Sequence, residues 1–91
     1  MPSISIVLPT YNRARTLARA VNSVLQQSFE DFELIIVDDG SSDHTDEVLS
    51  IWADSRIRVI CLDSNQGAAV ARNRGIAEST CDLIAFQDSD D

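Results

Sequence analysis

The sequence predicts an α/β fold on a doubly wound, mostly parallel sheet with Rossmann-like βαβαβαβ order, and three observations lead there. Short apolar runs at residues 4–8, 34–37, 56–62 and 82–87 alternate with segments long enough for crossover helices. The second run, Leu34-Ile35-Ile36-Val37, is continuously apolar, as expected of a central parallel strand covered on both faces. Turn-forming or acidic residues follow the runs, so the loops that could carry chemistry fall at strand C-termini, where α/β sheets bind ligands.

The first run is β-branched and meets Pro9, which predicts a buried strand ending at that proline. Beyond Thr10-Tyr11-Asn12, small or apolar residues recur at Leu17, Ala20, Val21, Val24 and Leu25, the stripe of an amphipathic helix, with Asn12 as its expected N-cap. Residues 28–33 read as a polar connection whose Phe29 and Phe32 pack beneath the helix end. After the second strand, Asp38-Asp39-Gly40-Ser41-Ser42-Asp43 makes a sharp turn at Gly40. Ser42 or Asp43 caps a second helix with Val48, Leu49 and Trp52 on its apolar side, and His44 is expected to be solvent-exposed. The third strand is expected over 56–62, an Ala-rich third helix over 65–79 and the fourth strand over 82–87. Right-handed crossovers then collect residues 9–12, 38–43 and 88–91 on one edge of the sheet.

The 91 residues suffice for one small domain, and 44% hydrophobic with 24% charged residues is a globular composition. A net charge of −8 argues against nucleic acid as a partner, because phosphate contacts call for a basic face. Cys61 and Cys81 adjoin apolar runs and are expected to be two buried thiols in a reducing compartment. No apolar run approaches the roughly 20 residues that cross a bilayer, and no leader-like segment opens the chain. The expected location is therefore cytoplasmic, with association at the inner membrane face open for a longer parent.

Chemistry concentrates at the end of the chain, where Asp88, Asp90 and Asp91 crowd together. Neighbouring carboxylates repel one another unless a cation neutralises them, and hard ions such as Mg²⁺ or Mn²⁺ favour carboxylate and phosphate oxygens. Two acidic clusters and Tyr11 on one rim suit a nucleotide. The three glycines, Gly40, Gly67 and Gly75, cannot satisfy G-x-G-x-x-G, and no P-loop run exists, so the phosphates need a cation and an arginine instead. Arg72 and Arg74 lie about 200° apart around one helix, so only one of them can serve.

The runs Ser5-Ile6-Val7-Leu8-Pro9-Thr10-Tyr11-Asn12 and Ile36-Val37-Asp38-Asp39-Gly40-Ser41-Ser42-Asp43, then Asn65-Gln66-Gly67 with Ala71-Arg72-Asn73, and finally Asp88-Ser89-Asp90-Asp91, together resemble the family 2 glycosyltransferases of the GT-A fold. The resemblance implies an inverting enzyme that moves a sugar from a nucleotide diphosphate, most often UDP, to a saccharide or lipid-linked acceptor with Mg²⁺ or Mn²⁺. It also implies that Pro9, Thr10, Tyr11, Asp38, Asp39, Arg72, Asp88 and Asp90 bind the nucleotide. Tyr11 would lie against the base, Asp39 would accept a hydrogen bond from uracil, and Asp90 and Asp91 would hold the metal, with Asp88 in support.

The family's catalytic base lies well after its Asp-x-Asp element, so residues 1–91 are expected to be the donor-binding part, inactive alone and prone to self-association through an uncovered apolar face. Three other readings compete. A nucleotide-binding module without catalysis remains open. A sugar-phosphate nucleotidyltransferase would want glycines after the first strand. A phosphorelay receiver would want its acidic pair where Thr10-Tyr11-Asn12 stands.

Overall fold

The computed structural model describes residues 3–12, 14–26, 31–41 and 55–87. The elements in chain order are β1 (Ile4–Thr10), α1 (Ala14–Leu25), β2 (Phe32–Asp38), β3 (Ile57–Cys61), α2 (Ala68–Glu78) and β4 (Ile84–Phe86). The four strands form one sheet of order β3-β2-β1-β4, and every pairing is parallel. The helix expected around Val48, Leu49 and Trp52, together with Phe29 and His44, lies outside the described residues.

All seven residues of β2 are buried, as its apolar run requires of a strand with a neighbour on each side. Alternate residues of the sheet serve two separate cores. On one face Ile6, Leu8, Phe32, Leu34 and Ile36 pack with Leu17, Ala20, Val21 and Val24, the predicted stripe of α1. On the other face Ile35 and Val37 pack with Ala71 of α2. Helices on opposite faces make the sheet doubly wound. In α2 the closest approach falls at Gly75, where a Cβ would run into the side chains of Val7 and Val37.

The first strand does not stop at Pro9. It continues to Thr10, with Pro9 opposite Val37 and Thr10 opposite Asp38. Backbone groups of a strand point alternately to its two neighbours, and the Val7 carbonyl accepts from the Gln87 N–H on the β4 side, whereas the Thr10 carbonyl accepts from the Asp39 N–H on the β2 side. The N–H that Pro9 lacks would therefore face β4, whose pairing with β1 ends at Phe86, and the ladder to β2 loses nothing. Asn12, two residues before Ala14, has φ 51°, a left-handed conformation that Asn tolerates, and its N–H donates to Ser41 Oγ at 2.9 Å, while residue 13, between it and the helix, lies outside the described residues.

Residues 32 and 33 belong to β2 rather than to a polar connection, and Glu33 is buried. Its Oε2 accepts from Ser5 Oγ at 2.5 Å, Thr80 N at 2.7 Å and Thr80 Oγ1 at 3.0 Å, while Oε1 lies 3.6 Å from Arg58 Nη1. Arg58 also donates from Nη1 to the Glu78 carbonyl at 2.7 Å, near the C-terminus of α2. Burial alone would raise the Glu33 pKa, but these hydrogen bonds and the Arg58 charge outweigh it and hold the carboxyl below its ordinary value of 4.5.

The thiols are not buried as expected. β3 is an edge strand, which leaves Val59 and Cys61 exposed, and Cys81 is half-buried with Sγ 3.9 Å from Glu33 Oε2. The two are not joined in a disulfide.

Gly75→Ala should destabilise the fold by about 1–3 kcal/mol in denaturant unfolding, although Ala is the better helix former by about 1 kcal/mol, because the overlap with Val7 dominates. Glu33→Gln should cost about 2 kcal/mol at neutral pH. A carboxyl with a depressed folded-state pKa stabilises fully above its unfolded value, near 4.5, and loses that contribution as pH falls through the folded value. Unfolding midpoints of wild type and Glu33→Gln should therefore converge as the pH is lowered below about 4.

Candidate functional site

Parallel pairing brings the C-terminal ends of β1, β2 and β3 to one edge, and hydrogen bonds join the loops there. Thr10 is opposite Asp38, and Asp38 is opposite Cys61. The Asp39 N–H donates to the Thr10 carbonyl at 2.9 Å, and the Leu62 N–H to the Asp38 carbonyl at 2.8 Å. Ser41 connects two loops, its Oγ accepting from Asn12 N while its own N–H donates to Asp38 Oδ1 at 3.1 Å. β4 runs the same way and delivers the chain at Gln87 to this edge.

Both acids at the end of β2 are nearly inaccessible, at 4% for Asp38 and 3% for Asp39. Asp39 is engaged on both oxygens. Oδ1 accepts from Gln66 N at 2.8 Å, and Oδ2 accepts from Gly67 N at 2.9 Å and Asn65 Nδ2 at 3.2 Å. A carboxylate offers about four acceptor positions, so most of its capacity is committed within the protein. Gly40 makes the approach feasible. With φ 74° it turns the chain tightly, and a Cβ there would lie 2.5 Å from the Ser64 carbonyl carbon and 2.6 Å from Asn65 N.

Of the other residues singled out from sequence, Thr10 is buried, and its Oγ1 has no hydrogen-bond partner among the described residues. A buried hydroxyl left in that state costs about 1–3 kcal/mol. Pro9 is half-buried beside it, and Tyr11 is exposed on the same edge. Arg72 is exposed on α2 without an ion pair among the described residues, whereas Arg74 lies 3.9 Å from Glu78 one turn on. Asp88, Asp90 and Asp91 lie outside the described residues. Among the residues that are described, no three acids, histidines or cysteines gather as a metal would need.

The partners of Asp39 are what the sequence reading missed. Asn65-Gln66-Gly67 was visible as a motif, but its hydrogen bonds reach back 26–28 residues, a separation that no local pattern encodes.

The family model of glycosyl transferase family 2 matches residues 5–91. The chain belongs to that family. It is 44% identical to a putative teichuronic acid biosynthesis glycosyltransferase, TuaG of Bacillus subtilis, over 99% of its own length and 36% of the relative's. It is 40% identical to WfgD of Escherichia coli, a UDP-Glc:α-D-GlcNAc-diphosphoundecaprenol β-1,3-glucosyltransferase, over 97% of its own length and 35% of that protein's. Among solved structures, Staphylococcus aureus TarS 1–349 in complex with UDP-GlcNAc superposes with a TM-score of 0.90 at 29% identity, covering 97% of this chain and 26% of that one. The fold is thus that of GT-A glycosyltransferases, and the chain spans about a third of the length of the curated relatives it matches.

Gly40→Ala should cost at least about 2 kcal/mol of stability, since a left-handed φ and a backbone clash coincide there, and the loss should show as a lower urea midpoint with an unchanged m-value.

Proposed function

We propose that this family 2 glycosyltransferase chain is the donor-binding part of an enzyme that transfers a sugar, with inversion, from a nucleotide diphosphate sugar, UDP-linked by preference, to a saccharide or lipid-linked acceptor hydroxyl. The observation that carries the reading is the convergence of Thr10, Tyr11, Asp38 and Asp39 at the sheet edge, with a buried Thr10 hydroxyl that has no hydrogen-bond partner among the described residues. A bound nucleotide supplies the missing partner. Tyr11 offers an exposed aromatic face for a base, and Pro9, Asp38 and Asp39 lie on the same sheet edge. Arg72, exposed and free of an ion pair among the described residues, is available to a phosphate. The TarS complex with UDP-GlcNAc and the UDP-glucose specificity in WfgD's name support a UDP-sugar donor.

In this reading the divalent cation is held by other residues, since Asp39 commits both oxygens, and Asp38 its Oδ1, to backbone and amide N–H groups. Asp90 and Asp91, with Asp88 in support, are the proposed ligands for Mg²⁺ or Mn²⁺, an all-oxygen donor set suited to a hard ion. Once bound, the cation would stabilise charge on the departing diphosphate. The protein's own part is to hold the nucleotide in a site partly shielded from water and to orient it by hydrogen bonds from both flanking loops. A cytoplasmic setting, at the inner membrane face for a lipid-linked acceptor, fits this reading.

Calorimetric titration with UDP, GDP and dTDP, with and without Mn²⁺, tests it. Metal-dependent binding that favours UDP is expected, and Asp91→Ala should weaken it by at least about tenfold. Thr10→Val should lower UDP affinity about tenfold while leaving stability unchanged or improved, because it removes a buried hydroxyl that has no partner among the described residues. No nucleotide binding at millimolar concentration would overturn the reading.

A further inference from the structure

We infer that Ser41 is a positioning residue of the donor site, holding the backbone around Tyr11 so that the aromatic ring is presented to the base. The inference rests on the donor-site reading above and adds to it a residue that acts through Tyr11. The ladder between β1 and β2 ends at Thr10, so Tyr11 is the first residue that strand pairing does not fix. Its side chain is also exposed, which leaves little packing to orient it. A ring free to wander pays an ordering cost whenever a ligand stacks on it, and a held one does not.

Two bonds from the turn after β2 bracket Tyr11 where the ladder stops. The peptide unit leading into it has its carbonyl on Thr10, and that oxygen accepts from the Asp39 N–H at 2.9 Å. The peptide unit leaving it has its N–H on Asn12, and that group donates to Ser41 Oγ at 2.9 Å. Peptide units are planar, so anchoring the two that flank one Cα sets the direction of the Cα–Cβ bond between them, the root from which the ring projects. Gly40, at φ 74°, makes the turn that lets residues 39 and 41 each reach one of these units. Ser41 is held in its own right, since its N–H donates to Asp38 Oδ1 at 3.1 Å and Asp38 is paired with Thr10 on one side and Cys61 on the other. A chain of bonds thus runs from the centre of the sheet through the Asp38 carboxylate and Ser41 to Asn12. There it supports a left-handed φ of 51°, which costs an L-residue energy that a satisfied N–H helps to offset.

A residue that acts through Tyr11 loses its effect once Tyr11 is gone, whereas a general fastener of the loop does not. Calorimetric titration with UDP and Mg²⁺ should therefore be run on wild type, Ser41→Ala, Tyr11→Ala and the double variant, with NMR of the UDP-saturated proteins. Ser41→Ala keeps the N–H that Asp38 accepts and removes only the Oγ. Tyr11 is the sole tyrosine of the chain, so a nuclear Overhauser contact from its ring to uracil H5 or H6 has one assignment. Wild type should show that contact, and Ser41→Ala should lose most of it and bind about five- to tenfold more weakly. With Tyr11 already replaced by Ala, removing Oγ should cost less than about twofold. If Ser41→Ala does not fold, Ser41→Cys, a weaker acceptor of similar shape, takes its place in the same cycle. Losses that multiply in the double variant, or an undiminished ring contact without Oγ, would overturn the inference while leaving the donor-site reading intact. A wild type that binds no UDP would overturn both.

Discussion

The pairing of β1 with β2 is the constraint on which the remaining structure depends. Seven consecutive residues of each strand are in register, from Ile4 opposite Phe32 to Thr10 opposite Asp38, and nearly all of them are withdrawn from water. A slip by one residue would turn every side chain to the opposite face, exchanging the core under α1 for the core under α2 and moving Thr10 away from Asp38. The same pairing that buries the apolar runs thus fixes which polar groups meet at the rim. Folding and site assembly share one interaction.

Around that pair the molecule has a chemical polarity. At the N-terminal ends of the strands, Glu33 gathers Ser5, Thr80 and Arg58, contributions from every strand or its approach. At the C-terminal ends, Asp39 gathers Asn65, Gln66 and Gly67. Both are buried acids whose oxygens accept several hydrogen bonds, the arrangement that makes a buried carboxylate tolerable. Glu33 ties strands to one another, whereas Asp39 ties a strand to the entrance of a helix.

Much of this was legible in the sequence, and the limits have physical causes. The β2 run and the α1 stripe were readable because burial on both faces or on one leaves a local periodic trace, and the shared edge of the loops after β1 and β2 followed from parallel topology. Edge position leaves no such trace: the run around Cys61 resembles a central strand, and only the sheet order exposes it. Pro9 was misread because the cost of its missing N–H depends on which neighbour that group would face. Glu33 carried a signal that went unused, a lone acid between Phe32 and four consecutive apolar residues, a place where a charge persists only with partners. The partners themselves, Thr80 and Arg58, are set by tertiary contact. At the rim, the identities of Thr10, Tyr11, Asp38 and Asp39 were readable, but the commitments of Asp39 were not.

The distance between the two acidic hubs carries its own consequence. Six residues of extended chain separate Glu33 from Asp39, about 20 Å. Durability is thereby housed at one pole and the proposed donor site at the other, and a protein engineer rewriting rim loops on this scaffold would do well to leave that distal pole untouched.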